Sequence, residues 1–227
     1  MPLRQEGIQL PLTKNLIAAL NKALSPARLH PYLEAAGFKE EAAISLYLWN
    51  AAVGQSFHFP LQVAEVVLRN TVTIALSREF GSNWWNENAC KACLGDERCE
   101  DLTDAAVRAQ KVYQCAPTAD HMTSILMFGF WVALLKGQYN QRIWSKNTYR
   151  CFPNLSMQKR VGDVYAIANA VLLFRNRIAH HEPLIGLDLS LEYSRITNLI
   201  GWVCDETKDW VRRSSSVPLA IRQRPRA

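Results

Sequence analysis

The sequence predicts an all-α protein, and three observations carry this prediction. No segment alternates apolar and polar residues between hairpin turns, as half-buried strands do. Apolar residues instead recur at helical steps of three and four along most of the chain. Residues that favour helix ends also occur along the chain: Ser25-Pro26 is typical of a helix start, and Gly37 and Gly81 are typical of helix ends.

These signals predict the helices in order. They place helices over residues 26–37, 39–57, 61–80, 101–114, 120–136, 141–151, 156–181 and 188–213. Pro60 separates the second helix from the third, because proline has no N–H to donate and clashes with the preceding turn. Pro117 and Pro183 end two of the others. We expect residues 1–211 to form one domain, with residues 1–58 as a candidate N-terminal helical subdomain.

Composition excludes several classes of protein. The chain has 227 residues, of which 49% are hydrophobic and 20% charged, so general disorder is excluded. A chain this long buries enough core to fold without disulfides or metal. The longest apolar run, Ile125–Leu135, is shorter than the roughly 18 residues of a membrane span, and Leu16–Leu20 is too short for a signal sequence. We expect a soluble, cytoplasmic protein with no membrane partner.

The net charge of +6 is unevenly distributed. Residues 212–227 hold five arginines and no acid, and Lys136–Arg177 holds eight basic residues against one acid. Glu79–Asp104 has seven acids and two basic residues. This segregation predicts a polyanion partner, RNA or DNA ahead of membrane. We expect residues 212–227 to be a disordered basic tail, and a solvated chain end explains its arginines equally well.

Six cysteines in a chain of this size do not indicate a disulfide framework. Cys90-x2-Cys93 followed by Cys99 offers three of the four ligands of a zinc site. However, five residues separate Cys93 from Cys99, and no histidine lies within twenty residues of this group. Reduced, partly buried thiols are therefore the favoured interpretation, and neither a metal nor another cofactor is predicted.

The 156–181 helix carries a charge where its pattern calls for an apolar side chain. Arg175 lies between Leu172 and Ile178 on the apolar stripe. A guanidinium there is costly unless it is paired or lines a polar cleft. Asn176 and His180 are four residues apart and share the neighbouring face. Two interpretations stay open: a structural arginine paired with a buried carboxylate, or one wall of a site.

The 61–80 helix is apolar almost all round, which indicates burial on most sides. Its polar positions fall in one line, Gln62, Glu65, Arg69 and Thr73. Glu65 precedes Arg69 by four residues, the favourable order for an ion pair. The line is either an internal ion pair or a wall of a site, and Glu65 is able to neutralise either Arg69 or Arg175.

The segment Phe174–Pro183 resembles the R-x4-6-H signature of HEPN domains, an all-α superfamily rich in metal-independent ribonucleases. Here the signature is Arg175-x4-His180, with Asn176 directly after the arginine. Three further segments occur in matching order: Gln62–Asn70, Gly81–Trp85 and Phe128–Trp131. Together the four resemble the abortive-infection (Abi-like) family of bacterial phage-defence proteins, over about residues 25–205.

The resemblance implies a HEPN-like helical bundle with additional N-terminal helices. It implies a metal-independent endoribonuclease that acts as a toxin in anti-phage abortive infection. It also implies a homodimer that joins two Arg/His sets in one cleft, and an antitoxin made of RNA or protein. The alternative is a non-catalytic module that binds RNA or a nucleotide within a defence or toxin–antitoxin system.

The resemblance also assigns roles to residues. Arg175 binds the phosphate, His180 acts as general acid or base, and Asn176 orients the phosphate or the imidazole. His181 satisfies the loose signature as well, but His180 is favoured because it lies four residues from Asn176. The supporting residues are Glu65, Arg69, Asn70 and His181.

Overall fold

The computed structural model describes residues 12–225, and every regular element in that range is helical. The prediction of an all-α protein is therefore confirmed. Short 3₁₀ turns lie at Trp84–Asn86 and Gly137–Tyr139, and a π-helical turn lies at Asn140–Trp144. The α-helices are α1 (Lys14–Leu24), α2 (Pro26–Ala35), α3 (Glu40–Phe80), α4 (Asn88–Leu94), α5 (Asp96–Tyr113), α6 (Ala119–Ile125), α7 (Phe128–Ala133), α8 (Thr148–Cys151), α9 (Val161–Ala179), α10 (Leu189–Val203), α11 (Asp205–Ser214) and α12 (Val217–Arg222).

Helix α3 runs for 41 residues and passes through Pro60, so the predicted break before Pro60 is wrong. An internal proline costs a helix about 3 kcal/mol, since it removes one hydrogen bond and crowds the preceding turn. Phe57, Leu61 and Ala64 are buried around it. Burial of one large apolar side chain contributes about 1.5–3 kcal/mol, so tertiary packing outweighs the local cost.

The core is built around α3. Helices α2, α7, α9, α10 and α12 all pack against it, and α9 and α10 also pack against each other. Trp84, Trp131 and Trp144 are completely buried in this core, which makes them packing residues. The boundary of the predicted 1–58 subdomain falls inside α3. Helices α1 and α2 pack on this same long helix, as the core helices do.

The C-terminal region differs from the prediction in two ways. The predicted 188–213 helix is divided at Cys204, whose extended backbone separates α10 from α11 and whose sulfur caps α11. Residues 217–222 form α12, so the prediction of disorder is wrong for residues 212–225; residues 226 and 227 lie outside the described range. Pro218 stands in the first turn of α12, where a proline favours a helix.

Contacts with α3 hold α12 in place. Val217 and Ala220 are buried, and the indole Nε1 of Trp49 donates a hydrogen bond to the carbonyl of Ala220 at 2.8 Å. The guanidinium of Arg224 lies over the Trp49 ring, 5.2 Å from its centroid. These partners are distant in sequence, which is why local composition predicted a tail instead.

Among residues 12–225, no helix combines the length and the apolar content that crossing a bilayer requires.

Val217→Ala tests the docking of α12. Val217 is fully buried, so loss of two methyl groups is expected to lower the free energy of unfolding by about 1–2 kcal/mol. Leu219→Ala is the matched control, because Leu219 is 52% exposed and its truncation is expected to change stability little. Urea denaturation of both variants measures the difference. Equal stability of the two would contradict a docked α12.

Candidate functional site

An open groove of about 1500 Å³ lies between α2, the middle of α3 and the C-terminal end of α9, and we call it the α3–α9 groove. Arg28 of α2 lines this groove. The polar residues of its α3 wall include His58, Gln62, Glu65 and Arg69. The end of α9 and the turn after it contribute Arg175, His180, His181 and Glu182.

Most of the predicted site residues meet in this groove. Arg175, His180, His181, Glu65 and Arg69 all line it. These residues come from two helices that are about a hundred positions apart in the chain.

The two predicted asparagines lie elsewhere. Asn176 is not among the lining residues of the groove; its Oδ1 accepts a hydrogen bond from Nη1 of Arg175 at 3.4 Å. Asn176 therefore contacts the arginine without lining the groove itself. Asn70 is exposed on α3, outside the groove.

The α3 wall is a straight line of polar side chains. His58, Gln62, Glu65 and Arg69 follow one another at steps of four, three and four residues, which places them on one helix face. At a rise of 1.5 Å per residue this line spans about 16 Å. Thr73, the last member of the predicted line, instead shares a hydrogen bond of 3.0 Å with Thr123.

Arg175 contacts Glu65 across the groove. Its Nε lies 3.9 Å from Oε2 of Glu65, so Glu65 approaches Arg175 rather than Arg69. The Arg175 side chain is 38% exposed, and it therefore keeps donors free for a ligand. The Nε of Arg69 is buried and has no hydrogen-bond partner among the described residues. Arg175 thus retains capacity to bind an anion.

Helix α9 ends in a Schellman turn that places both histidines. The N–H of His181 donates to the carbonyl of Ile178 at 3.0 Å, and the N–H of Glu182 donates to the carbonyl of Arg177 at 2.8 Å. His180 is the C-cap, and His181 has a left-handed φ of 57°. Glycine usually occupies this left-handed position because it has no Cβ.

Two distant side chains fix the turn against the rest of the protein. Nη2 of Arg28 donates to the carbonyl of His181, and the backbone N–H of Leu184 donates to Oδ1 of buried Asn50 at 2.6 Å. Arg28 lies on α2 and Asn50 on α3. The positions of His180 and His181 therefore depend on both helices.

Sequence reasoning missed Arg28, Asn50 and His58. Arg28 and Asn50 bond partners 153 and 134 residues away, and no local pattern signals such contacts. His58 did leave a signal, since it stands seven residues before Glu65 and therefore on the same helix face. The predicted break before Pro60 left His58 outside the helix that holds Glu65, so their shared face was not recognised.

The cysteine group shows no metal site. Among residues 12–225, no three His, Cys, Asp or Glu side chains come together in a way that could hold a metal ion. Burial, together with the neighbouring thiols of Cys93 and Cys99, raises the pKa of Cys90 to about 12. The sulfur of Cys99 donates to the carbonyl of Lys91 at 3.3 Å.

Comparisons of this chain with protein-family models, with curated proteins and with solved structures gave no match. The resemblance to HEPN and Abi-like proteins stays a prediction. Function is therefore inferred from the residues of the groove and from the sequence motifs.

Substitutions of His181 test its strained backbone. A left-handed residue with a Cβ costs about 1–2 kcal/mol relative to glycine, and a β-branched residue costs more. His181→Gly is thus expected to keep or raise the free energy of unfolding, whereas His181→Val is expected to lower it. Chemical denaturation of the three proteins measures the order. A glycine variant less stable than the valine variant would contradict the Schellman turn.

Thiol alkylation tests the state of the cysteines. Because its pKa is raised and its side chain is fully buried, Cys90 is expected to stay a protected thiol from neutral pH to pH 9. Cys115 is exposed and is expected to react first with iodoacetamide. Mass spectrometry of peptides over time measures the order of labelling. Fast labelling of Cys90 in the folded protein would contradict its burial.

Proposed function

We propose that this protein is a metal-independent endoribonuclease of the HEPN type and that the α3–α9 groove is its RNA site. The observation that supports the proposal best is the meeting of Arg175 and His180 in one groove with two further arginines, Arg28 and Arg69. The resemblance adds the biological setting: a cytoplasmic toxin of bacterial abortive infection, dimeric and held in check by an RNA or protein antitoxin.

The residue types suit cleavage of RNA by attack of its own 2′-hydroxyl. This reaction needs one group to remove the 2′-OH proton, one to protonate the 5′-oxygen and a cation to stabilise the charge on phosphate. Histidine, with an ordinary pKa near 6.5, performs proton transfers at neutral pH. Arginine keeps its charge and presents a planar set of donors to phosphate oxygens. His180 provides one of the two proton transfers, and Arg175 provides the cation.

The charge balance of the groove favours an anion. Three arginines face two glutamates. Glu182 is already paired with Arg177, which lies outside the groove, through an Nε–Oε2 distance of 3.0 Å. The arginines of the groove are therefore incompletely neutralised, and a phosphate completes their pairing.

The size and lining of the groove favour a polymer. Its volume of about 1500 Å³ exceeds the roughly 300–1000 Å³ of sites for small ligands. Tyr47 and Phe59 present aromatic side chains to it. Stacking of a base on such a ring contributes about 1–3 kcal/mol, with little preference for sequence. An extended single strand is thus the proposed substrate.

Alanine substitutions test the proposed chemistry. His180→Ala removes a proton-transfer group and is expected to slow RNA cleavage by about 10²–10⁴-fold. Arg175→Ala removes the phosphate ligand and is expected to abolish cleavage and growth toxicity. Both side chains are partly or fully exposed, so circular dichroism and melting temperature should stay close to those of the wild type. Cleavage of labelled RNA is measured with EDTA present.

Arg177→Ala is the matched control, because Arg177 lies two residues after Arg175 and outside the groove. It is expected to retain cleavage. Loss of activity in Arg177→Ala with activity kept in Arg175→Ala would show that the site residues are assigned wrongly. RNA binding by the wild type without any cleavage would favour the non-catalytic alternative.

A further inference from the structure

We infer that His58 is the second proton-transfer group of the α3–α9 groove, on the wall opposite His180, so that one protomer holds both groups that RNA cleavage needs. The inference rests on the proposed ribonuclease function. It deepens that proposal by assigning a residue outside the R-x4-6-H signature and by making the site complete within a single chain.

The position of His58 follows from the contacts between α3 and α9. Gly54 lies one turn before His58, and Cγ2 of Ile178 lies 3.8 Å from the place that a Cβ on Gly54 would take. Two turns after His58, Glu65 approaches Arg175. At 1.5 Å per residue, His58 is about 6 Å along α3 from the first contact and about 10 Å from the second. It therefore stands opposite the last turn of α9.

His58 is exposed, and no described residue forms a hydrogen bond or ion pair with its ring. The two other histidines outside the signature have local partners. Nε2 of His30 lies 3.2 Å from the carboxylate of Glu34, and Nδ1 of His121 accepts from the N–H of Thr118 at 3.4 Å. Neither lines the groove. His58 thus differs from both in its location and in its unengaged imidazole.

The geometry of the reaction calls for groups on two walls. The attacking and leaving oxygens of a phosphoryl transfer lie roughly in line, on opposite sides of phosphorus. His180 and His181 are consecutive residues at one helix end, so both belong to the α9 wall of the groove. His58 comes from the facing helix. A phosphate bound to Arg175 between the walls has one imidazole on each side.

The proton balance closes with this pair. One neutral imidazole accepts the 2′-hydroxyl proton while the bond from the 2′-oxygen to phosphorus forms. The other imidazole, protonated, donates its proton to the 5′-oxygen while the bond from phosphorus to that oxygen breaks. The products are a 2′,3′-cyclic phosphate and a 5′-hydroxyl, and the imidazoles have exchanged protonation states. Exchange with water restores both, and no metal or oxidant is consumed.

The charged surroundings of His58 come from every wall of the groove. The pH profile of cleavage therefore belongs to the whole set of groups and is measured as apparent values. The groups are Arg28 from α2, Glu65 and Arg69 from α3, and Arg175, His180, His181 and Glu182 from α9 and its terminal turn.

His58→Asn tests the inference, with His30→Asn as the matched control. Cleavage of a short RNA is followed in EDTA from pH 5 to pH 9. We expect His58→Asn to lower the rate by about 10²–10⁴-fold and to remove one limb of the bell-shaped pH profile. We expect His30→Asn to keep both the rate and the profile. Both side chains are exposed, so the melting temperatures should match that of the wild type.

A substrate with sulfur in place of the 5′-oxygen adds a chemical readout, because a thiolate leaves without a proton. It is expected to restore the rate of either His58→Asn or His180→Ala, whichever lacks the general acid. Restoration of neither variant would contradict the paired roles.

Mixing His58→Asn with Arg175→Ala tests completeness within one protomer. We expect no recovery, since each chain lacks one member of its own site. Recovered cleavage would place His58 across a dimer interface and overturn the assignment to one protomer.

The failures are distinguishable. If the wild type cleaves RNA and His58→Asn has the same rate and pH profile, the inference about His58 is wrong and the proposed function stands. If the wild type does not cleave RNA, the proposed function and the inference fail together.

Discussion

The burial of α3 is the constraint on which the rest of the structure depends. This helix provides the centre of the core and, on one face, the polar wall of the groove. A rigid rod of 41 residues keeps Asn50, His58 and Arg69 in fixed order along that wall. A break at Pro60 would separate the first two from the third. The apolar contacts that carry the helix through the proline therefore also assemble the groove.

The opposite wall is held by a different kind of force. The end of α9 is fixed by two hydrogen bonds: Arg28 donates to the carbonyl of His181, and the N–H of Leu184 donates to Oδ1 of Asn50. Hydrogen bonds are directional, and they locate a turn more sharply than apolar contact does. Helices α2 and α3 thus position the histidines although they lie far away in the chain.

Arg175 shows how an intermediate environment suits the proposed binding site. A fully buried guanidinium would need a complete set of partners, and a fully exposed one would be held in place by little. At 38% exposure, Arg175 is oriented by Asn176 and by Glu65 while some of its donors stay accessible. One arginine of the C-terminal segment contacts the core. Arg224 lies over Trp49 as part of a docked helix end, so part of the positive charge of that segment is attached to the core.

By itself, the sequence determined the helical class, the start of α2 at Pro26, the end of α3 at Phe80 and the spacing of Arg175 and His180 in one motif. These features depend on residues within about four positions of one another, and local periodicity and capping report on them. Tertiary structure alone decided that α3 continues through Pro60 and that Glu65 approaches Arg175. It also decided that α12 docks on Trp49 and that Arg28, Asn50 and His58 join the groove. Each of these depends on contacts between segments far apart in the chain, where the burial of side chains outweighs local preference.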